Sequence, residues 1–299
     1  MLCHFSDFFS TLFFVFENTK LIIAPQINNF QKNINQMVIL SSLYGQTSNN
    51  YFQYVNIDAY CKENNIKFIA PMFELKYAKK FPNFTKKSGL LIQLLYKNRI
   101  TRGVINRILK KITYKLDTIE NVPYFKEKLI NRNICFVSGW YFSSPKELSL
   151  NRLYYKNQFQ PLNSILEKKS KYFDLDFDGI TLGVHIRRGD YKEFLDGKYY
   201  YENDVYIKFI EKFIEISQYN INILIFSNEK IEEEVFSRFE NLKISKENVD
   251  TDHYLMSECN YLIGPPSTFT MWASYIGKPK CFQIVNPDGQ LNLEKFIKY

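Results

Sequence analysis

The chain has 299 residues, 45% of them hydrophobic and 23% charged. That is the composition of a folded protein, with length for one large domain or two of ordinary size. The formal net charge of +8 fits an anionic ligand, an anionic membrane surface or nucleic acid; with no zinc-finger spacing and no RNP-type aromatic motif, nucleic acid is set aside as a partner. Five scattered cysteines, never in a CxxC, and only three histidines argue against a disulfide framework, a zinc site and a His-rich metal centre.

No apolar run reaches the roughly 18–20 residues that span a bilayer. Leu12–Phe16 is apolar but short, without a basic n-region or a small-residue cleavage site. Residues 1–36 drift through an Asn/Gln-rich stretch and read either as an N-terminal extension or as sequence ahead of a natural start at Met37. The expected compartment is the cytoplasm, at the inner face of the membrane if the chain binds lipid.

Met37–Ser41 reads as a strand, Ser42–Asn50 as a polar loop around Gly45, and Tyr51–Glu63 as a helix with Phe52, Val55 and Ala59 at helical spacing. Ile66–Ala70, closed by Pro71, completes a βαβ unit, which implies parallel pairing. Lys76–Lys87 is basic and reads as a loop. Leu90–Tyr96 and Val104–Ile112 read as helices, the second apolar along Val104, Ile105, Ile108, Leu109 and Ile112 and basic elsewhere. Such a helix suits either a solvated surface or docking on anionic lipid. Ile134–Ser138 reads as a strand running into Gly139–Ser144, and Asn151–Ser170 as a charged helix. The Asp-rich stretch 171–179 opens the second half. The expected domains are therefore 37–170 and 171–299.

In that half the strands are Thr181–Ile186, Ile221–Ser227, Tyr261–Gly264 and Lys280–Val285. Helices are expected over Asn203–Ser217, Lys230–Phe239, Asp252–Cys259 and Ser267–Ile276, with Asn203 and Ser267 as N-caps. Two stretches carry chemistry. The first, Thr181–Tyr191, is a buried strand that delivers His185, Arg187 and Arg188 to its carboxyl end, followed by Gly189 and Asp190. Two guanidinium forks at that crevice suit a diphosphate; the same residues also suit a strand end whose arginines pair with surface carboxylates. The second, Asp252–Trp272, runs helix, strand, the hard turn Gly264-Pro265-Pro266, and a helix opened by Ser267-Thr268. A helix start with two hydroxyls can hold an anion; it can equally be a plain cap.

Together these stretches resemble the α-1,2-fucosyltransferases of glycosyltransferase family 11 and, more distantly, the α-1,6- and protein O-fucosyltransferases. The motif HxRRxD is matched by His185-Ile186-Arg187-Arg188-Gly189-Asp190 and continues through Tyr191. Ser267–Trp272 is similar to S-[ST]-F-S-x-W, Gly139–Ser144 to GYxQS, and Phe52-Gln53-Tyr54 to the end of GGLGNQMFQY. Three departures stand out: Ser42–Asn50 lacks that glycine-rich loop, Ser227-Asn228-Glu229 replaces Ser-Asp-Asp, and Pro265-Pro266 replaces Asn-Ser.

The resemblance implies an α/β fold of GT-B type, two Rossmann-like domains facing a cleft. It implies an inverting, metal-independent transfer of L-fucose from GDP-fucose to a glycan, a galactoside in α-1,2 linkage, in O-antigen or other surface polysaccharide synthesis. The acceptor would be a glycan or a lipid-linked oligosaccharide. It places Arg187 on the β-phosphate, Arg188 in support, His185 near the diphosphate or sugar, Asp252 on guanine, and Ser267, Thr268 and Phe269 at the donor. The catalytic base is not set by these motifs: Asp190 is one candidate, and it also suits orienting Arg187 or Arg188 by a salt bridge; a carboxylate in the first domain or a water relay serves the base role equally well. The alternatives are a GT-B transferase with another GDP-sugar, or a nucleotide- or glycan-binding protein without turnover.

Overall fold

The computed structural model describes residues 36–117, 121–130, 132–174 and 176–299. Apart from Gln36, the extension expected over 1–36 lies outside the described residues. The chain divides into two compact units after Gln160, ahead of the junction expected near 170. The short helices at 163–172 belong with the second unit because ion pairs tie them to it: Lys169 to Glu258 at 2.6 Å and Lys171 to Glu247 at 2.8 Å.

In chain order, the first unit runs β1 (Met37–Leu40), α1 (Thr47–Glu63), β2 (Lys67–Ile69), α2 (Pro71–Tyr77), α3 (Leu90–Lys97), α4 (Arg99–Leu109), β3 (Tyr114–Leu116), α5 (Asn121–Ile130), β4 (Ile134–Gly139), α6 (Pro145–Leu150) and α7 (Arg152–Gln158). Its sheet has the order β2-β1-β4-β3, with every pair parallel. The βαβ start is as expected. The loop before α1 is shorter than expected, because Ser48 and Asn50 are buried in the helix rather than looped out; Asn50 Nδ2 donates to the Tyr77 hydroxyl at 2.9 Å. Polar residues on a buried helix face are tolerated when each finds a partner. β3 and α5 were not expected. The single helix expected over Asn151–Ser170 is broken around Pro161, where a missing N–H and the clash of the ring with the carbonyl four residues back prevent continuation. The core is aromatic: Phe73, fully buried, stacks on Tyr54 at 4.3 Å and meets Phe159 edge-on at 6.2 Å.

The second unit runs α8 (Asn163–Leu166), α9 (Lys169–Tyr172), β5 (Ile180–Ile186), α10 (Asn203–Ile216), β6 (Ile221–Ser227), β7 (Leu242–Ile244), α11 (Val249–Glu258), β8 (Tyr261–Gly264), α12 (Thr268–Ile276) and β9 (Lys280–Gln283). The sheet order is β7-β6-β5-β8-β9, again wholly parallel. Where a helix was expected over Lys230–Phe239 there is only a 3-10 turn at Glu233–Phe236, and β7 follows it. Because side chains alternate along a strand, Leu182, Val184 and Ile186 enter the core that contains Phe209, Ile210 and Phe213 of α10. Gly183 and His185 face the other layer, which holds Leu255 and Met256 of α11 and Ala273 of α12. Each fully buried Leu, Val or Ile contributes about 1.5–3 kcal/mol, which fixes the register of β5. Among the described residues no helix is long and apolar enough to cross a membrane.

Candidate functional site

All five strands of the second sheet are parallel, so their carboxyl ends lie along one edge. That edge is where open α/β sheets take ligands. β5 is the middle strand, and the residues that follow it are the ones whose sequence pattern points to chemistry.

Arg187 and Arg188 leave β5 into different surroundings. Arg187 Nη2 lies 2.8 Å from Asp190 Oδ1 and donates to Oδ2 at 2.9 Å. Its guanidinium also lies 5.5 Å from the Tyr191 ring centre. The Arg188 side chain is turned inward: Nη2 donates to Asn203 Oδ1 and Nε to the Tyr201 carbonyl at 3.3 Å. Glu202 adds an ion pair at 3.8 Å. Asn203, expected as an N-cap, is the first residue of α10, with Glu202 at the cap position; its side chain accepts from Arg188 instead.

The chain can turn between the arginines and Asp190 because Gly189 takes a φ of +61°, a region that costs side-chain-bearing residues energy. A Cβ there would also stand 2.8 Å from Asn228 Nδ2. In the sequence Asn228 is only a departure from the family pattern, but in the fold it supports the loop. Its Oδ1 accepts from the Arg188 amide at 2.9 Å and its Nδ2 donates to the Arg188 carbonyl at 3.1 Å. The side-chain amide thus continues the β5–β6 ladder one step past Ile186 and Ser227.

His185 is 4% exposed, and its Nδ1 is buried without a hydrogen-bond partner among the described residues. Burial, followed by the nearby Arg187 and His253, pushes the imidazole down to about 3, so it is neutral at ordinary pH. Its ring lies 5.4 Å from Phe269, and Phe269 stacks on His253 at 3.7 Å. His253 therefore belongs to this cluster, although the sequence singled out only its neighbour Asp252. β8 can approach β5 this closely because residue 264 is glycine: a Cβ would meet the His185 carbonyl oxygen at 2.8 Å and its Cβ at 3.0 Å.

Tyr191 joins the two chemical stretches. Its hydroxyl donates to the Pro266 carbonyl at 2.6 Å, one residue before Ser267, and burial pushes the phenol up to about 12. Ser267 is the expected N-cap: its Oγ accepts from the Phe269 amide at 3.2 Å. Thr268 is the first residue of α12.

Asp252 sits on α11 near the end of β7. Ser245, just past that strand, donates its hydroxyl to Oδ1. Burial, opposed by the Ser245 bond, raises the carboxyl to about 7. A buried carboxyl that titrates this near neutrality would be shifted toward its ionised form by a ligand that donates hydrogen bonds to it.

The edge thus offers a cationic fork (Arg187), a neutral buried imidazole (His185), an aromatic face (Phe269), a capped helix start (Ser267, Thr268) and a buried carboxyl (Asp252).

No curated protein matches the sequence. A family model described as a protein of unknown function (DUF354) matches residues 180–298, the span that carries the whole edge. Solved structures similar to the chain include two fucosyltransferase-type proteins. The fucosyltransferase NodZ from Bradyrhizobium has a TM-score of 0.57 at 13% identity, with 85% of this chain and 97% of that chain covered. POFUT1 in complex with GDP has a TM-score of 0.53 at 12% identity, with 83% and 98% covered. The fold is that of the GT-B glycosyltransferases, with two Rossmann-like domains.

Proposed function

We propose that the chain is an inverting glycosyltransferase that moves L-fucose from GDP-fucose to a hydroxyl of a glycan acceptor. The observation that carries this reading is the central parallel strand ending in His185 and Arg187 beside the Ser267–Phe269 helix start. The likeness of fold to NodZ, a fucosyltransferase, and to POFUT1, crystallised with GDP, supports it. The galactoside acceptor, the α-1,2 linkage and a lipid-linked oligosaccharide of surface polysaccharide synthesis come from the resemblance of motifs and belong to the same proposal.

In this reading the acceptor oxygen attacks the anomeric carbon opposite GDP. The bond from that carbon to the β-phosphate oxygen breaks, and its electron pair leaves with GDP. Negative charge grows on the β-phosphate, where Arg187 neutralises it; groups preorganised toward such charge are worth about 10²–10³ in rate. A bound diphosphate competes with Asp190 for the Arg187 fork. The carboxylate it displaces is then available to take the acceptor's proton. His185, neutral, offers a hydrogen bond through Nδ1 rather than charge. Ser267, Thr268 and Phe269 hold the phosphates and sugar, Arg188 braces the loop, and Asp252 accepts from the guanine edge.

Calorimetric titration with GDP, GDP-fucose, GDP-mannose and UDP tests this. GDP compounds should bind and UDP should not. Arg187→Ala should weaken GDP about 10- to 100-fold, the value of a charge-assisted hydrogen-bonded pair. Asp190→Asn should bind GDP at least as tightly as the parent while losing transfer. UDP binding as tight as GDP, or an unchanged Arg187→Ala, overturns the reading; tighter binding and faster hydrolysis of GDP-mannose reassigns the donor sugar.

A further inference from the structure

Charge is unevenly distributed along this chain. From Leu75 to Leu116 there are twelve lysines and arginines and not one aspartate or glutamate. The other 27 basic residues face all 31 acidic ones, so the positive balance of the whole protein resides in this one segment.

The same segment turns its apolar residues outward. α3 exposes Leu90 (75%), Leu91 (71%) and Leu94 (54%), and α4 exposes Ile100 (78%), Val104 (53%) and Ile108 (62%). On α4 these are spaced by four, which aligns them in one stripe. Tyr96 and Leu109 anchor the two helices inward. Asn98 joins the helices and caps the second, accepting from the Ile100 amide at 2.9 Å. The hairpin is thus folded, yet its stripe faces solvent, with exposed Lys97, Arg99, Arg107, Lys110 and Lys111 around it. Contiguous apolar surface of this kind on a monomer marks an interaction site.

We infer that the α3–α4 face docks on an anionic lipid bilayer, its leucines and isoleucines entering the headgroup–acyl boundary and its lysines and arginines meeting lipid phosphates. Charge decides among the occupants. A second copy of the chain would bring one wholly basic face against another, which like-charge repulsion opposes. Nucleic acid would reward the lysines but leave the apolar stripe in water. A lipid surface satisfies both at once. The face uses no donor-site residue, so it stands whether or not the protein turns over GDP-fucose.

Co-sedimentation of the full chain with vesicles tests the inference, using phosphatidylcholine alone against equal parts phosphatidylcholine and phosphatidylglycerol. Binding should appear only on the anionic vesicles and weaken as salt rises. The combined Ile100→Ser, Val104→Ser and Ile108→Ser variant should bind at least about tenfold more weakly. Arg107→Glu with Lys110→Glu should do the same and flatten the salt dependence. All five side chains are exposed, and circular dichroism checks the fold. Equal binding to both vesicle types, no binding at low salt, or unchanged binding in the serine variant overturns the inference. So does a dimer that dissociates in that variant.

Discussion

Arg187 and Arg188 are adjacent in sequence and keep different company. Arg187 pairs with a half-exposed carboxylate, the one that the proposed function has a diphosphate displace. Arg188 is committed to Asn203, Glu202 and a main-chain carbonyl. The pair RR is visible in the sequence; which of the two is held inward is decided by Asn203 at the start of α10. At this scale His185 and Asp252 make opposite pH statements. His185 falls from 6.5 to about 3, so the folded chain binds fewer protons there than the unfolded chain, and stability is lost as pH drops from about 6.5 toward 3. Asp252 rises from 3.8 to about 7, so the folded chain binds more protons, and stability is lost as pH rises from about 4 toward 7. Between about 4 and 6.5 the two slopes oppose each other, and their sum is shallow. Urea denaturation across pH should show this. His185→Gln should leave a curve that falls with rising pH over this window, and Asp252→Asn one that falls with acid. Parallel curves in both variants would mean that other groups set the pH dependence.

At the scale of elements, the site depends on how β5 ends. Its ladder to β6 continues through the Asn228 side chain, which both accepts and donates. Asn228→Asp keeps the shape, removes the donor, and sets a carboxylate against the Arg188 carbonyl. An unpaired buried polar group costs about 1–3 kcal/mol; Asn228 is exposed, so the loss should fall at the lower end, with a larger effect on GDP affinity because Arg187 follows the loop. Denaturation midpoints and titration on the same variant separate the two; an unchanged GDP affinity would show that the loop is held by other contacts. The β5–β6–β8 core of this sheet was legible because its strands are long or wholly apolar, as in Ile221–Ser227 and Tyr261–Gly264. β3 and β7 were not, being three residues each, with a basic residue in the middle (Lys115, Lys243) that breaks any apolar run. The helix expected over Lys230–Phe239 reduces to a 3-10 turn at Glu233–Phe236, although Ile231, Val235, Phe236 and Phe239 all pack on the core: the apolar spacing marks which residues turn inward, not the conformation that carries them. His253 in the site was hidden for a related reason: its stacking partner Phe269 is distant in sequence, and only the packing of α11 on α12 brings them together.

At the scale of the whole molecule, the residues read as the donor site all lie in the second unit, from His185 to Phe269, whereas the densest aromatic packing and the basic face lie in the first. Damage to one core should therefore be separable from function at the other. Phe73 is fully buried among Tyr51, Tyr54, Tyr77 and Phe159. Phe73→Ala should cost the first unit about 3–5 kcal/mol through lost transfer energy and a cavity. Because the proposed donor residues all lie outside that core, GDP affinity should stay within about threefold of the parent, a shift under ~1 kcal/mol. GDP at one hundred times its dissociation constant should in turn stabilise the second unit by about 2.7 kcal/mol, in both the parent and the variant. Hydrogen exchange resolved by segment reads both effects at once. Faster exchange should be confined to residues 37–160 in Phe73→Ala, and GDP protection to 161–299. GDP affinity falling tenfold in Phe73→Ala, or protection spreading into the aromatic core, would place part of the donor site in the first unit.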